Sequence, residues 1–129
     1  MKFDAVIPPR EFKVGATAAV TLKDCGRMLL DAGEQITFAT AAGAEYDIAR
    51  KDWGFYATPS TNGRLKRFGW KTALVRAGDG KAYVLMVENG FEQQFRSYIA
   101  GEGHRVLCWL DDDAALDHIE RANNKGEPA

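Results

Sequence analysis

Gln35-Ile36-Thr37-Phe38-Ala39-Thr40-Ala41-Ala42-Gly43-Ala44-Glu45-Tyr46-Asp47-Ile48 is the stretch whose reading decides the class of fold. Apolar and polar residues alternate in Gln35-Ile36-Thr37-Phe38 and again in Glu45-Tyr46-Asp47-Ile48. A period of two puts every second side chain on the same side of an extended chain. Each segment therefore reads as a strand with one buried face and one wet face. The Ala-Ala-Gly link between them suits a hairpin.

The same rhythm extends in both directions. Ala18, Val20 and Leu22 alternate with Ala19, Thr21 and Lys23, which predicts a strand. Asp24-Cys25-Gly26 and Asp31-Ala32-Gly33 read as turns around a short apolar strand at Met28-Leu29-Leu30. Residues 1–10 form an extended lead-in ending in Ile7-Pro8-Pro9-Arg10, where two prolines forbid helix. Trp53 to Ala57 is a further strand, and Thr58-Pro59-Ser60-Thr61-Asn62-Gly63 is the clearest loop. Leu65 to Arg76 resumes extended character, with a bulge or a close backbone approach expected at Gly69. After the turn Ala77-Gly78-Asp79-Gly80, Lys81 to Glu88 is apolar on both faces and is expected to be a central strand. Arg105 to Leu110 is a second such segment.

Two helices follow from the 3.6-residue period. Phe91, Phe95 and Tyr98 or Ile99 share a stripe, started at Asn89-Gly90 and ended by Gly101 and Gly103. Asp111-Asp112-Asp113 offers an N-cap and favourable charge to a C-terminal helix with Leu116, Ile119 and Ala122 facing inward. The fold class expected is mostly β, a β-rich α+β domain. Turn signals every ~8–12 residues suggest a small antiparallel barrel or sandwich with one or two helices near the C-terminus. One domain is expected over residues 1–122, with a frayed tail over 123–129.

Composition narrows the class of protein. A chain of 129 residues, 46% hydrophobic and 27% charged, is ordinary for a globular domain. No apolar run approaches the roughly 20 residues of a membrane helix, so no membrane partner is expected. Met1-Lys2-Phe3-Asp4 lacks the apolar region of a secretory signal. Two cysteines, Cys25 and Cys108, are too few for a disulfide scaffold, and Cys108 reads as a buried, inert thiol. A reducing cytoplasm fits best.

Catalytic and metal signatures are sparse. The two histidines, His104 and His118, have no second ligand at metal-binding spacing. Gly26 to Glu34 resembles the strand-turn-strand rhythm of cupin barrels. The metal motif of that family, with paired histidines and a glutamate, is absent, so neither a metal nor a cofactor is expected. Ser60, Thr61 and Ser97 lie outside any nucleophile elbow. Helix capping explains the three consecutive aspartates more simply than a divalent cation does.

Charge distribution singles out the middle of the chain. Net charge is −1, yet residues 50–76 carry seven basic residues (Arg50, Lys51, Arg64, Lys66, Arg67, Lys71, Arg76) against Asp52 alone, +6 in all. Ten basic and seventeen acidic residues lie outside it, giving −7. The stretch interleaves these cations with aromatic rings and short polar groups. Guanidinium groups fork to phosphate or carboxylate, rings stack on bases or sugars, and hydroxyl, amide and glycine residues let donors approach a ligand. The candidate ligand-binding residues are Trp53, Tyr56, Ser60, Thr61, Asn62, Arg64, Lys66, Arg67 and Trp70.

The expected function is that of a non-catalytic binding domain with a basic, aromatic face for an anionic ligand or partner. The partner would be an anionic small molecule, nucleic acid or an acidic protein surface. A small metal-independent enzyme, an isomerase or lyase acting on a sugar or nucleotide-sugar, is the alternative; His104, Asp52, Tyr56 and Tyr46 are its acid–base candidates. A self-assembling homo-oligomer is the third reading. The opposing account of the stretch makes Trp53, Phe55, Phe68 and Trp70 core, with the cations solvated at strand edges. Whether the rings face inward or outward decides between them.

Overall fold

The computed structural model describes residues 1–126, and the chain is mostly β, with three small antiparallel sheets and C-terminal helix. No closed barrel forms among the described residues.

β1 (Lys2–Val14) and β2 (Val20–Leu29) make a two-stranded antiparallel ribbon, in register from Lys2↔Leu29 to Val14↔Val20. The expected lead-in is thus a paired strand. Its prolines fall where the register slips between Ala5 and Arg10, so their missing N–H groups break no regular ladder. The turn predicted at Asp24-Cys25-Gly26 does not occur, because β2 runs straight through it. Gly26 serves close approach instead. Its φ is +155°, and a Cβ there would lie 2.6 Å from the Asp4 carbonyl oxygen on the facing strand.

β3 (Gln35–Ala39), β4 (Glu45–Lys51) and β5 (Gly54–Ala57) follow as a sheet in that order. The turn after β3 is closed by Thr40 N–H to Ala44 C=O and Gly43 N–H to Thr40 C=O, and Gly43 sits at φ +99°. β4 and β5 pair from Ile48↔Ala57 to Lys51↔Gly54, which leaves Asp52-Trp53 as a two-residue turn. Trp53 therefore stands at a hairpin tip, one residue before the strand it was expected to begin.

The extended reading of Leu65 to Arg76 holds only from residue 70. Arg64–Arg67 is a single helical turn, α1, and Gly69 at φ +94° leads into β6 (Trp70–Arg76). The face that a continuous strand would have given Arg64, Lys66, Phe68, Trp70 and Arg76 does not exist. β7 (Ala82–Glu88), α2 (Glu92–Glu102), β8 (Arg105–Trp109) and α3 (Asp113–Gly126) complete the chain.

The third sheet has the order β7-β6-β8, so β7, expected to be central, is an edge strand with Tyr83 and Val84 exposed. β6 takes the centre, with Thr72, Ala73 and Val75 buried. Gly103, in the left-handed conformation at φ 68°, ends α2, whereas Gly101 lies within it. Asp112 caps α3, its carboxylate accepting from Ala114 N–H at 2.9 Å. Ile119 and Ala122, expected inward on α3, are exposed. Of the expected tail over 123–129, residues 123–126 belong to α3 and 127–129 lie outside the described residues.

The chain resolves into two compact units. The first comprises Met1–Thr37 and Asp47–Thr58; the second comprises Phe38–Tyr46 and continues from Pro59. Among the described residues the buried hydrophobic residues Ala44, Leu65, Ala73, Val75, Ala77 and Val87 all belong to the second unit. The first unit buries Asp47, whose carboxylate accepts from the Thr37 hydroxyl at 2.6 Å.

Candidate functional site

In the first unit, the β4–β5 hairpin displays its rings. Trp53 is 72% exposed at the tip, with Phe55 at 64% and Tyr56 at 47%. Arg50 and Phe55 are directly opposed across the hairpin, and the guanidinium carbon lies 5.6 Å from the ring centre. Lys51 Nζ stands 5.9 Å from the Tyr56 ring. Both distances fall within the reach of cation–π attraction. Arg50 also donates from Nη1 to the Gly54 carbonyl at 3.1 Å, which holds its stem along the hairpin. These rings are not core.

The short polar residues expected to face a ligand are engaged inside the second unit. Ser60 Oγ accepts from Arg64 N–H at 3.1 Å, and its carbonyl accepts from the N–H groups of Gly63 and Leu65. Ser60 thus holds the loop that leads into α1, whose cap position is Gly63. Thr61 donates its hydroxyl to the Leu110 carbonyl at 2.6 Å, and Asn62 donates to the Asp113 carboxylate at 2.8 Å. Trp70 donates its indole N–H to the Glu45 carbonyl at 2.9 Å. Arg64 lies over the Phe68 ring at 5.3 Å. Lys66 and Arg67 are exposed on the same turn. Arg67 also borders a depression of about 240 Å³ with Gly43, Gly69 and Asn89.

The nine candidates are therefore divided: Trp53 and Tyr56 belong to the first unit and the other seven to the second. The acid–base candidates divide too, Asp52 and Tyr56 in the first unit, Tyr46 and His104 in the second. Burial pushes the Tyr46 phenol above its ordinary value.

Sequence reasoning missed the larger concavity of the second unit. A groove of about 580 Å³ lies between α2 and the β6–β8 face. Its apolar lining is Phe95, Ile99 and Ala100 from α2 with Val106 and Trp109 from β8; Lys71, Glu92, Arg96 and His104 complete it. A register shift builds it. Ala73 opposes Trp109 and Leu74 opposes Cys108, but Val75 opposes Val106, so Leu107 is the extra residue of a bulge. The bulge turns Val106 to the side that Trp109 already faces and leaves Leu107 exposed. The Phe91–Phe95–Ile99 stripe was legible as an apolar face; its facing partners were not.

His104 is bracketed by two rings, stacked on Tyr83 at 6.0 Å and edge-on to Tyr98 at 6.0 Å, and its Nδ1 is buried without a hydrogen-bond partner. Among the described residues no group of three or more His, Cys, Asp or Glu is placed to hold a metal ion. No helix among them is long and apolar enough to cross a membrane. No family model, no curated protein and no solved structure matches the chain.

Proposed function

We propose that the chain is a non-catalytic binding domain that takes an anionic partner through the rings and cations of the β4–β5 hairpin. The observation that carries this reading is the exposure of Trp53, Phe55 and Tyr56 on one short hairpin. Three neighbouring rings left in water give up apolar burial worth about 25 cal/mol per Å², which a partner would recover. Arg50 and Lys51 stand beside two of them. Flat rings next to cations suit a partner with π-faces on an anionic backbone, and single-stranded nucleic acid supplies both. Lys66 and Arg67, exposed on α1, belong to the second unit and are no part of this hairpin site. Both cysteines are free thiols, which supports a reducing, cytoplasmic setting.

The test is fluorescence anisotropy with a labelled oligothymidylate across a salt series. Binding is expected to weaken as salt rises, and Trp53→Ala is expected to weaken it about fivefold or more. The combined change Arg50→Ala and Lys51→Ala is expected to abolish the salt-sensitive component. Binding that survives both that change and high salt overturns the reading. Preference for polyglutamate over the oligonucleotide would move it to an acidic protein surface.

A second reading, self-association, is favoured by the first unit. A two-stranded ribbon and a three-stranded sheet without a fully buried apolar side chain leave Phe3, Ile7, Leu22 and Leu29 exposed. Isolated ribbons of this kind are marginal in water, and a second copy would cover these side chains. Light scattering at low and high salt tests it; a monomer at both removes it.

A further inference from the structure

We infer that the groove of the second unit binds a small organic anion with a flat apolar body, such as a ring bearing a carboxylate, sulfonate or phosphate ester. This site is separate from the hairpin of the first unit and rests on different residues. Its volume of about 580 Å³ lies within the range of small-molecule sites. Its walls are ring and aliphatic surface. Phe95 and Trp109 meet edge to face at 5.6 Å, an arrangement that fixes both rings and leaves indole surface toward the groove.

Charge selects the kind of ligand. Lys71 Nζ lies 5.9 Å from the Trp109 ring centre, so one cation already stands over the aromatic wall. Arg96, exposed on α2, makes no ion pair among the described residues, and neither does Lys71. Among the described residues Glu92 is the only acid lining the groove, and one of its carboxylate oxygens already accepts from Gly90 N–H at 3.0 Å. With Lys71 and Arg96 against Glu92, the groove carries an excess of positive charge beside an apolar wall, which favours an anion whose body is apolar over either feature alone. A neutral ring would gain nothing from that charge, and a bare anion would leave the walls wet.

The geometry also explains why α2 carries Phe95 and Ile99 without fully burying them. The stripe faces β8 across the groove instead of meeting it throughout, so a ligand would complete the contact that the helix leaves open.

The experiment titrates the full chain with anilinonaphthalene sulfonate, its uncharged parent phenylnaphthylamine, and inorganic phosphate. Dye fluorescence and tryptophan quenching are the readouts. The sulfonate is expected to saturate one site and to bind about tenfold more tightly than the neutral parent. Arg96→Gln is expected to weaken it about fivefold or more, and Ala100→Trp to block it by filling the mouth. Both positions are exposed, so unchanged circular dichroism melts accompany the loss. Oligothymidylate is expected to leave bound dye in place, which separates this site from the hairpin. Equal affinity for the neutral parent, or unchanged binding in both groove variants, overturns the inference. Displacement by millimolar phosphate alone also overturns it, since the apolar body would then be dispensable.

Discussion

The Thr61 hydroxyl donates to the backbone carbonyl of Leu110 at 2.6 Å, bridging residues 49 apart in sequence. With Asn62 on Asp113, it fastens the loop after β5 to the junction of β8 and α3. A carbonyl at a strand end has no ladder partner there, and the threonine supplies one. A hydroxyl that reads as ligand-facing in sequence is structural.

Removing that bond is expected to cost stability. Thr61→Val keeps the shape and deletes the donor, and urea denaturation should show a loss of about 1–2 kcal/mol. Thr61→Ser should recover most of it. Ser60→Ala, which deletes the acceptor for Arg64 N–H, should cost about 1 kcal/mol.

Gly26→Ala tests the close approach of the ribbon strands. The new methyl would collide with the Asp4 carbonyl, a backbone atom that cannot swing aside, and φ at +155° disfavours any side chain. A loss of about 2–4 kcal/mol is expected by denaturation, with amide exchange rising first in β1 and β2. Gly33→Ala should cost less: nothing lies within 4 Å of a Cβ there, so only its φ of +89° opposes the change.

Exposed and buried apolar residues should separate cleanly. Trp53→Ala is expected to change stability by no more than about 0.5 kcal/mol, because the ring is already in water. Leu65→Ala removes a side chain that is 1% exposed beneath α1 and should cost about 2–4 kcal/mol. A large loss from Trp53→Ala would make the hairpin rings structural and remove the basis of the binding reading.

Burial raises the Tyr46 phenol above its ordinary value of 10.0. A group raised in the folded state holds its proton there after the unfolded chain has released it. Its contribution is therefore present below the unfolded value and is lost as pH rises through the folded one. Stability should fall above about pH 10, and Tyr46→Phe should flatten that limb. Ultraviolet titration should show a late-ionising tyrosine that disappears in Tyr46→Phe.

Much of the β framework was legible because strand periodicity is local. The alternation around Gly43 and the turn at Gly80 both appear as read. Glycine was ambiguous because one residue type serves several ends. Gly43 makes a turn, while Gly26 admits a facing strand, and only the partner strand distinguishes them. Arg64–Arg67 was misread as extended because one helical turn is too short to show a 3.6-residue period.

Edge and centre were harder still. β7 is apolar on both faces, which is the pattern of a central strand, yet β6 lies between it and β8. Pattern reports what a strand can tolerate; neighbours decide what covers it. The groove was invisible for the same reason, since it depends on a register slip at Leu107 and on Trp109 meeting Phe95.

By itself, then, the sequence determined the β-rich class, most strand positions, the Gly103 end of α2, the aspartate cap of α3, and the concentration of cations and rings in residues 50–76. These follow from spacing, backbone preference and composition, which act over a few residues. Tertiary structure decided the rest. It turned Trp53, Phe55 and Tyr56 outward, tied Ser60, Thr61, Asn62 and Trp70 into internal hydrogen bonds, and opened the groove beside α2. Burial and hydrogen-bond satisfaction are set by partners distant in the chain, and no local pattern names those partners.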